Sequence, residues 1–287
     1  MQIVTDSATD THLLEDKGLD VHIVPLKVTL DDKTYRDKID ISADEFYKIL
    51  ENSGGLPVTS QPSAGEFAEV YRNLAKNDPD ILSIHMSSGL SGTVNSARAA
   101  VALVPEANVT VVDTKTLSGA AGWQVQAAVQ AIKAGWPLER ILEKLKAIAA
   151  ATYSLYTLKE LKYLIHGGRI SHIKGLIASV LQIKPLIGVH KELGNYTQEG
   201  QARSFNNALT GLVDLMKKTI PLMEPLRVQI IHAANPEGAA QLKEKITQTF
   251  KCEWLHTGQL SFVLGAHTGP SMIGVGFASN SIFDGIS

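Results

Sequence analysis

The stretch DILSIHMSSGLSGTVNSARAAVAL, residues 80–103, decides the reading of the fold. Asp80–His85 predicts a strand, Ser87–Thr93 a loop dense in hydroxyls and glycine, and Val94–Leu103 an alanine-rich helix. Strand, short loop and helix in that order form half of a βαβ unit. The order recurs on both sides. Upstream, the apolar run Gln2–Val4 precedes Thr5–Asp10, a polar loop rich in N-cap residues, and a helix ending near Gly18. Val21–Leu30 is β-branched and predicts a strand. Ser42–Asn52 opens with Ser42 and Glu45 at capping-box spacing and predicts a helix, broken at Gly54-Gly55-Leu56-Pro57. Gln61-Pro62-Ser63 leads into a helix over Ala64–Lys76. Downstream, Asn108–Val112 predicts a strand, and Ser118–Lys133 and Leu138–Ala151 predict helices. The alternation predicts an α/β domain over residues 1–155, a three-layer parallel sheet with helices on both faces.

The second half has a different rhythm. Leu158–His166 predicts a helix stopped by Gly167-Gly168, and Ile173–Leu181 an apolar helix or loop. Lys184–His190 and Asn195–Ala202 predict strands paired around Gly194. Helix Leu209–Thr219, strand Leu226–His232, helix Pro236–Phe250 and strand Cys252–Gly258 follow. Val263–Gly269 and Ile273–Ala278 flank a Gly/Pro loop. Residues 156–287 are expected to form a second α/β domain with a mixed sheet.

Composition sets outer limits. With 287 residues the chain has room for two domains, and 44% hydrophobic against 20% charged residues suits a packed, folded protein. Lys+Arg number 27 and Asp+Glu 29, a net charge of −2, which argues against a polycation built to hold nucleic acid. Residues 1–155 carry 14 basic and 20 acidic side chains, a net of −6, and residues 156–287 carry 13 and 9, a net of +4. Fields of that size are ordinary. A lone cysteine, Cys252, excludes an intramolecular disulfide, and its place in a predicted strand suggests a buried apolar residue. Met1–Asp10 carries two acids and no basic segment, unlike a signal peptide, and no apolar run reaches the roughly 18–20 residues of a membrane span. A cytoplasmic location is the expectation.

Three hydroxyl-rich loops stand at predicted strand ends or helix starts: Val58–Ser63, Ser87–Thr93 and Asp113–Gly119. In open α/β sheets that edge binds ligands. Glycine lets backbone N–H groups approach a ligand, and helix N-termini favour an anion. A cradle for a small anionic or carbonyl-like head group is expected, although N-capping alone accounts for any single loop. Gly89-Leu90-Ser91-Gly92-Thr93 approaches the G-x-S-x-G nucleophile elbow, with Thr93 where the last Gly belongs. No P-loop occurs, Gly274-Val275-Gly276 lacks the third glycine of a dinucleotide fingerprint, and the nine His residues show no metal spacing. No metal and no cofactor are expected. His267, in what reads as a flexible loop, Gly265–Pro270, is suited to donating a hydrogen bond to an anion, and a surface loop His fits equally well. Arg169 follows a glycine pair and is either a solvated residue beyond a C-cap or a guanidinium set to meet a phosphate.

Taken in order, these motifs resemble the DegV family, the bacterial fatty-acid-binding carriers. The resemblance rests on Ile3-Val4-Thr5-Asp6-Ser7, Val24-Pro25-Leu26, Tyr35-Arg36-Asp37 and Thr59-Ser60-Gln61-Pro62-Ser63. Ser87–Thr93, Gly167-Gly168-Arg169-Ile170-Ser171 and Gly265–Pro270 complete it. It implies a two-domain α/β fold with one long-chain fatty acid between the domains, its carboxylate bound by Thr59 and Ser91 with His267 close by. Ser60, Gly92, Thr93 and Ser118 are implied as supporting head-group residues, and Arg169 and Arg203 as phosphate or partner contacts. It also implies, for some members, a separate ATP-dependent fatty acid kinase that phosphorylates the bound carboxylate for phospholipid synthesis. Where members that work with the kinase often show a basic run after the Arg203 position, this chain continues Ser204-Phe205-Asn206-Asn207. Any membrane contact is expected to be transient. The competing reading is a serine-dependent hydrolase or acyltransferase using Ser91 and His267. A third, a DNA-binding module, is disfavoured by the acidic first half.

Overall fold

The computed structural model describes residues 1–10, 21–173 and 183–286. The helix expected to end near Gly18 and all of Ile173–Leu181 except Ile173 lie outside the described residues.

The first domain is built on a parallel sheet in the order β2-β1-β6-β7, formed by β1 (Gln2–Asp6), β2 (Val21–Val24), β6 (Asp80–His85) and β7 (Asn108–Asp113). Helices α2 (Ala64–Ala75) and α3 (Thr93–Val101) pack on one face, where Phe67, Tyr71 and Ala97 meet Val4 and Ile81. Helices α4 (Ser118–Lys133) and α5 (Leu138–Ala151) cover the other, where Val125, Ile141 and Leu145 meet Ile3, Leu82 and Ile84. Both faces being covered explains why these strands read as apolar runs without alternation. The capping box read at Ser42 and Glu45 is present at the start of α1 (Ala43–Asn52), and Ser63 with Glu66 forms a second at α2.

Val21–Leu30 does not form one strand. It splits at Pro25 into β2 and β3 (Lys27–Leu30), which leave for different sheets. Pro25 has no N–H to continue a ladder, and the next donor, Leu26 N, goes to Ser7 Oγ at 3.1 Å. Strands β4 (Lys33–Arg36), β3 and β5 (Val58–Ser60) form a small antiparallel sheet that patterning did not show. Its hairpin turns on Asp31 and Asp32, both at positive φ (49° and 60°), as a two-residue turn with right-handed strand twist requires.

The second domain carries a mixed sheet in the order β10-β9-β8-β14-β11-β12, from β8 (Tyr153–Thr157), β9 (Lys184–Val189), β10 (Tyr196–Ala202), β11 (Leu226–His232), β12 (Cys252–Trp254) and β14 (Ile273–Ser279), with β13 (Gly258–Gln259) also on β11. The β9–β10 hairpin is antiparallel as expected, and the predicted strand Cys252–Gly258 is two short pieces. Cys252 is half-buried, and burial pushes its thiol up to about 11. Helices α7 (Phe205–Thr219) and α8 (Pro236–Thr247) bury Leu212, Met216 and Leu242 against Leu155, Val228 and Phe277. The segment Gly265–Pro270 is not a flexible loop: its first four residues end a buried helix, α9 (Phe262–Thr268), closed by Gly269 at φ 74°. Apolar Phe262, Val263, Leu264 and Ala266 draw that segment into the core, which a loop of unpaired backbone groups would not enter. The largest core cluster joins the two domains, uniting Leu26, Met86 and Leu90 with Tyr156, Tyr196, Leu260 and Phe262.

Candidate ligand-binding site

The site grows from the carboxyl ends of β1, β6 and β7. After β6 the chain turns tightly, with Leu90 N and Ser91 N both donating to Ser87 O at 3.1 Å. Ser88 Oγ donates to Asp113 Oδ2 at 2.5 Å, and Asp113 also meets Lys115 Nζ at 2.9 Å. These partners hold the Asp113 carboxyl below the usual carboxylate range despite its partial burial. Ser87 and Ser88 thus spend their polar atoms within the loop. A Cβ on Gly89 would lie 2.4 Å from Leu193 O, so this glycine lets the β9–β10 hairpin of the second domain seat on the loop. Ser91 sits beyond, its Oγ 2.8 Å from Thr93 Oγ1.

Three chain segments distant in sequence meet over this loop. Strand β5 brings Thr59 and Ser60, α9 brings His267, and the turn after α6 (Lys162–His166) brings Arg169. With Ser91 they line a cavity of about 250 Å³ whose remaining lining is largely apolar, including Leu26, Met86 and Leu264. Thr59 Oγ1 and His267 Nε2 are 2.8 Å apart. His267 Nδ1 is buried and has no hydrogen-bond partner among the described residues. A Cβ on Gly167 would fall 2.1 Å from that Nδ1, so the first glycine of the pair ahead of Arg169 makes room for the imidazole. Arg169 Nη1 donates to Gly167 O at 2.6 Å, which ties the guanidinium to the same turn. Burial, then the charges of Arg169 and His166, push His267 down to about 3. His267 is therefore a neutral imidazole at physiological pH, and Arg169 carries the positive charge of the cavity.

A second, narrower cavity of about 50 Å³ lies alongside, several times the roughly 10–15 Å³ one water needs. Leu117, Ile231, Leu260 and Met272 line it, and it shares Tyr196 and Leu264 with the first. The sequence-predicted residues divide accordingly. Thr59, Ser60, Ser91, His267 and Arg169 come together in the wider cavity. Gly92 and Thr93 start α3 and support Ser91 from behind, Thr93 being fully buried. Ser118 is not at the wider cavity: it lines the narrow one, and its hydroxyl donates to Asp10. Arg203 lines neither and is exposed just before α7. Tyr196 and Gln61, which sequence reasoning did not select, line the wider cavity. Nothing local in the strand Tyr196–Ala202 marks its first residue as a site residue.

The Ser91–His267 hydrolase arrangement is not assembled. His267 pairs with Thr59, Ser91 pairs with Thr93, and among the described residues no carboxylate orients Nδ1. The described residues do contain an Asp–His–Ser alignment elsewhere. Asp6 Oδ2 lies 3.1 Å from His85 Nδ1, and His85 Nε2 lies 2.6 Å from Ser83 Oγ, which meets Tyr71 OH at 2.7 Å. These groups are fully buried between sheet and helix, out of reach of any substrate.

Fold and cavities define a class: a two-domain α/β protein with a polar pocket beside a narrow, mostly apolar cavity where the domains meet. A family model described as "Uncharacterised protein, DegV family" matches residues 1–280. A DegV domain-containing protein of Staphylococcus aureus strain MRSA252 is 36% identical over 273 residues, covering 95% of this chain and 96% of that one. A solved structure titled as fatty acid binding of a DegV family protein from Thermus thermophilus superposes with a TM-score of 0.87 at 29% identity, covering 97% and 99% of the two chains. The structure of DegV from Bacillus subtilis, described as a fatty acid binding protein, gives 0.87 at 28% identity, covering 97% and 98%. The chain belongs to the DegV family.

Proposed function

We propose that this protein binds one long-chain fatty acid, with its carboxylate at Thr59, Ser91 and His267 and its tail directed into the apolar core between the domains, where the narrow cavity lies. The observation that carries the reading is the juxtaposition of the two cavities, which share Tyr196 and Leu264 in their walls, one carrying hydroxyls and an imidazole and the other mostly apolar. Burying a sixteen-carbon chain contributes on the order of 10 kcal/mol at ~0.8 kcal/mol per CH₂, before ordering costs. A buried carboxylate needs hydrogen bonds to be tolerated. With its proton on Nε2, neutral His267 donates to Thr59 Oγ1, which leaves the Thr59 hydroxyl proton for the carboxylate. Arg169 supplies charge from the cavity wall. The relatives described as fatty acid binding support the same ligand.

We further propose a carrier without catalysis of its own, divided near residue 155, that presents the carboxylate to a separate ATP-dependent kinase for acyl-phosphate formation. A site built on hydroxyls and a neutral imidazole leaves the carboxylate less masked than a bidentate arginine would. Native mass spectrometry followed by organic extraction tests the binding: a stoichiometric fatty acid is expected. Replacing Thr59 and Ser91 together by Ala is expected to lower affinity about a hundredfold, as hydrogen bonds to a charged group are worth ~1.5–3 kcal/mol each. A protein that stays empty when fatty acids are offered overturns the reading. Absence of acyl phosphate in the presence of ATP and a kinase competent with other carriers overturns the kinase role alone.

A further inference from the structure

We infer that Tyr156 makes the acyl channel selective for a chain carrying a hydroxyl or oxo oxygen along its length over the plain saturated chain, an inference that rests on the fatty-acid reading above. Tyr156 lies on β8, where alternation sends Leu155 to the core under α7 and Tyr156 to the core between the domains. It lines the narrow cavity, with its ring packed edge-on against Tyr196 at 5.4 Å and 67°. Among the described residues its buried hydroxyl makes no hydrogen bond of full geometry; the Tyr196 hydroxyl is the one polar neighbour that acts on it. Other polar groups around this cavity are already engaged. Ser118 donates to Asp10, Ser154 Oγ lies 3.2 Å from Thr116 Oγ1, and Gln229 Oε1 accepts from Trp123 Nε1 at 3.0 Å.

A buried hydroxyl without a partner is uncommon and costly, and a polymethylene chain offers it none. Burial raises the Tyr156 phenol well above its ordinary value, so it stays a donor at physiological pH. A hydroxyl or carbonyl oxygen on the chain, at the carbon that comes to rest beside the ring, accepts that proton. Discrimination by a site that hydrogen-bonds a ligand oxygen falls on the analogue lacking it, because the buried donor is then left unpaired.

The test measures dissociation constants of stearate, a positional series of hydroxystearates and the matching oxostearates for the full chain and for Tyr156→Phe. In the wild type one position in the series is expected to bind better, relative to stearate, than its neighbours. In Tyr156→Phe that preference, taken relative to stearate in the same protein, is expected to fall about tenfold. A preference profile identical in the two proteins overturns the inference. A crystal structure of the wild type with the preferred ligand gives a second reading that needs no variant: its chain oxygen is expected within hydrogen-bond distance of the Tyr156 hydroxyl, and an oxygen placed elsewhere overturns the inference. Failure of stearate itself to bind the wild type is a separate result, which overturns the fatty-acid reading.

Discussion

Two buried histidines show how differently one residue type is used in this molecule. His85 has both ring nitrogens engaged, by Asp6 and by Ser83, and no exposed surface. His267, at the wall of a cavity, has one nitrogen on Thr59 and the other without a partner among the described residues. The first network is closed. Asp6 also accepts Ala8 N and Met86 N at 2.9 Å, so it pins the end of β1 to the end of β6 and holds the base of the site. The second is open: among the described residues Nδ1 has no partner, and the ring hydrogen-bonds to its neighbours only through Nε2 at a cavity wall. Completeness of hydrogen bonding, more than residue identity, separates the sealed histidine from the one at the cavity wall.

The largest expected effect breaks the closed network. Asp6→Ala strips the acceptor from two backbone donors and a ring nitrogen, all buried, and is expected to destabilise the fold by roughly 3–5 kcal/mol in urea melts, since each stranded donor costs ~1–3 kcal/mol. A loss under 1 kcal/mol would show that the network is not closed in solution.

The next sharpens the contrast through pH. His267 is held at about 3 against an ordinary 6.5, so the unfolded chain takes up its proton first as pH falls. Stability from this group is complete above 6.5 and declines between 6.5 and 3, by up to ~1.4 kcal/mol per pH unit. Asp37, raised to about 6 mainly by burial, acts in the opposite sense: the folded chain binds its proton first, so stability is gained as pH falls from 6 to 3.8. Subtracting the profile of His267→Gln from that of the wild type cancels Asp37. The difference should grow steadily below pH 6.5, and a flat difference contradicts a neutral buried His267.

A smaller effect is expected at Gly167. Its alanine variant crowds the His267 ring and should weaken fatty-acid binding about tenfold with little change in denaturation midpoint, read by titration calorimetry. Unchanged affinity would mean that His267 does not help hold the head group.

Much of this was legible in the chain because it is local. Strand Leu226–His232, helices Ser118–Lys133 and Leu138–Ala151, and the capping box at Ser42 follow from periodicity and caps within a few residues. The ordered motifs were enough to bring Thr59, Ser91, Arg169 and His267 to notice. Where reading went astray, the deciding contact was remote. The helix carrying His267 forms because Phe262 and Leu264 are buried against distant segments, and its first residues are tied by Asp10 accepting Ser261 N at 3.1 Å and by Ser261 Oγ donating to Asp37. Val21–Leu30 divides because Ser7 takes Leu26 N.

By itself the sequence determined the α/β class, the placement of most elements and the hydroxyl-rich character of the loops, since these depend on spacing and backbone chemistry along the chain. Only the tertiary structure decided that His267 is neutral and faces Thr59, that His85 is sealed with Asp6 and Ser83, and that Tyr156 stands unpartnered beside the channel. Each of those depends on desolvation and on neighbours some 80 to 200 residues away or on another strand, quantities that a linear pattern does not carry.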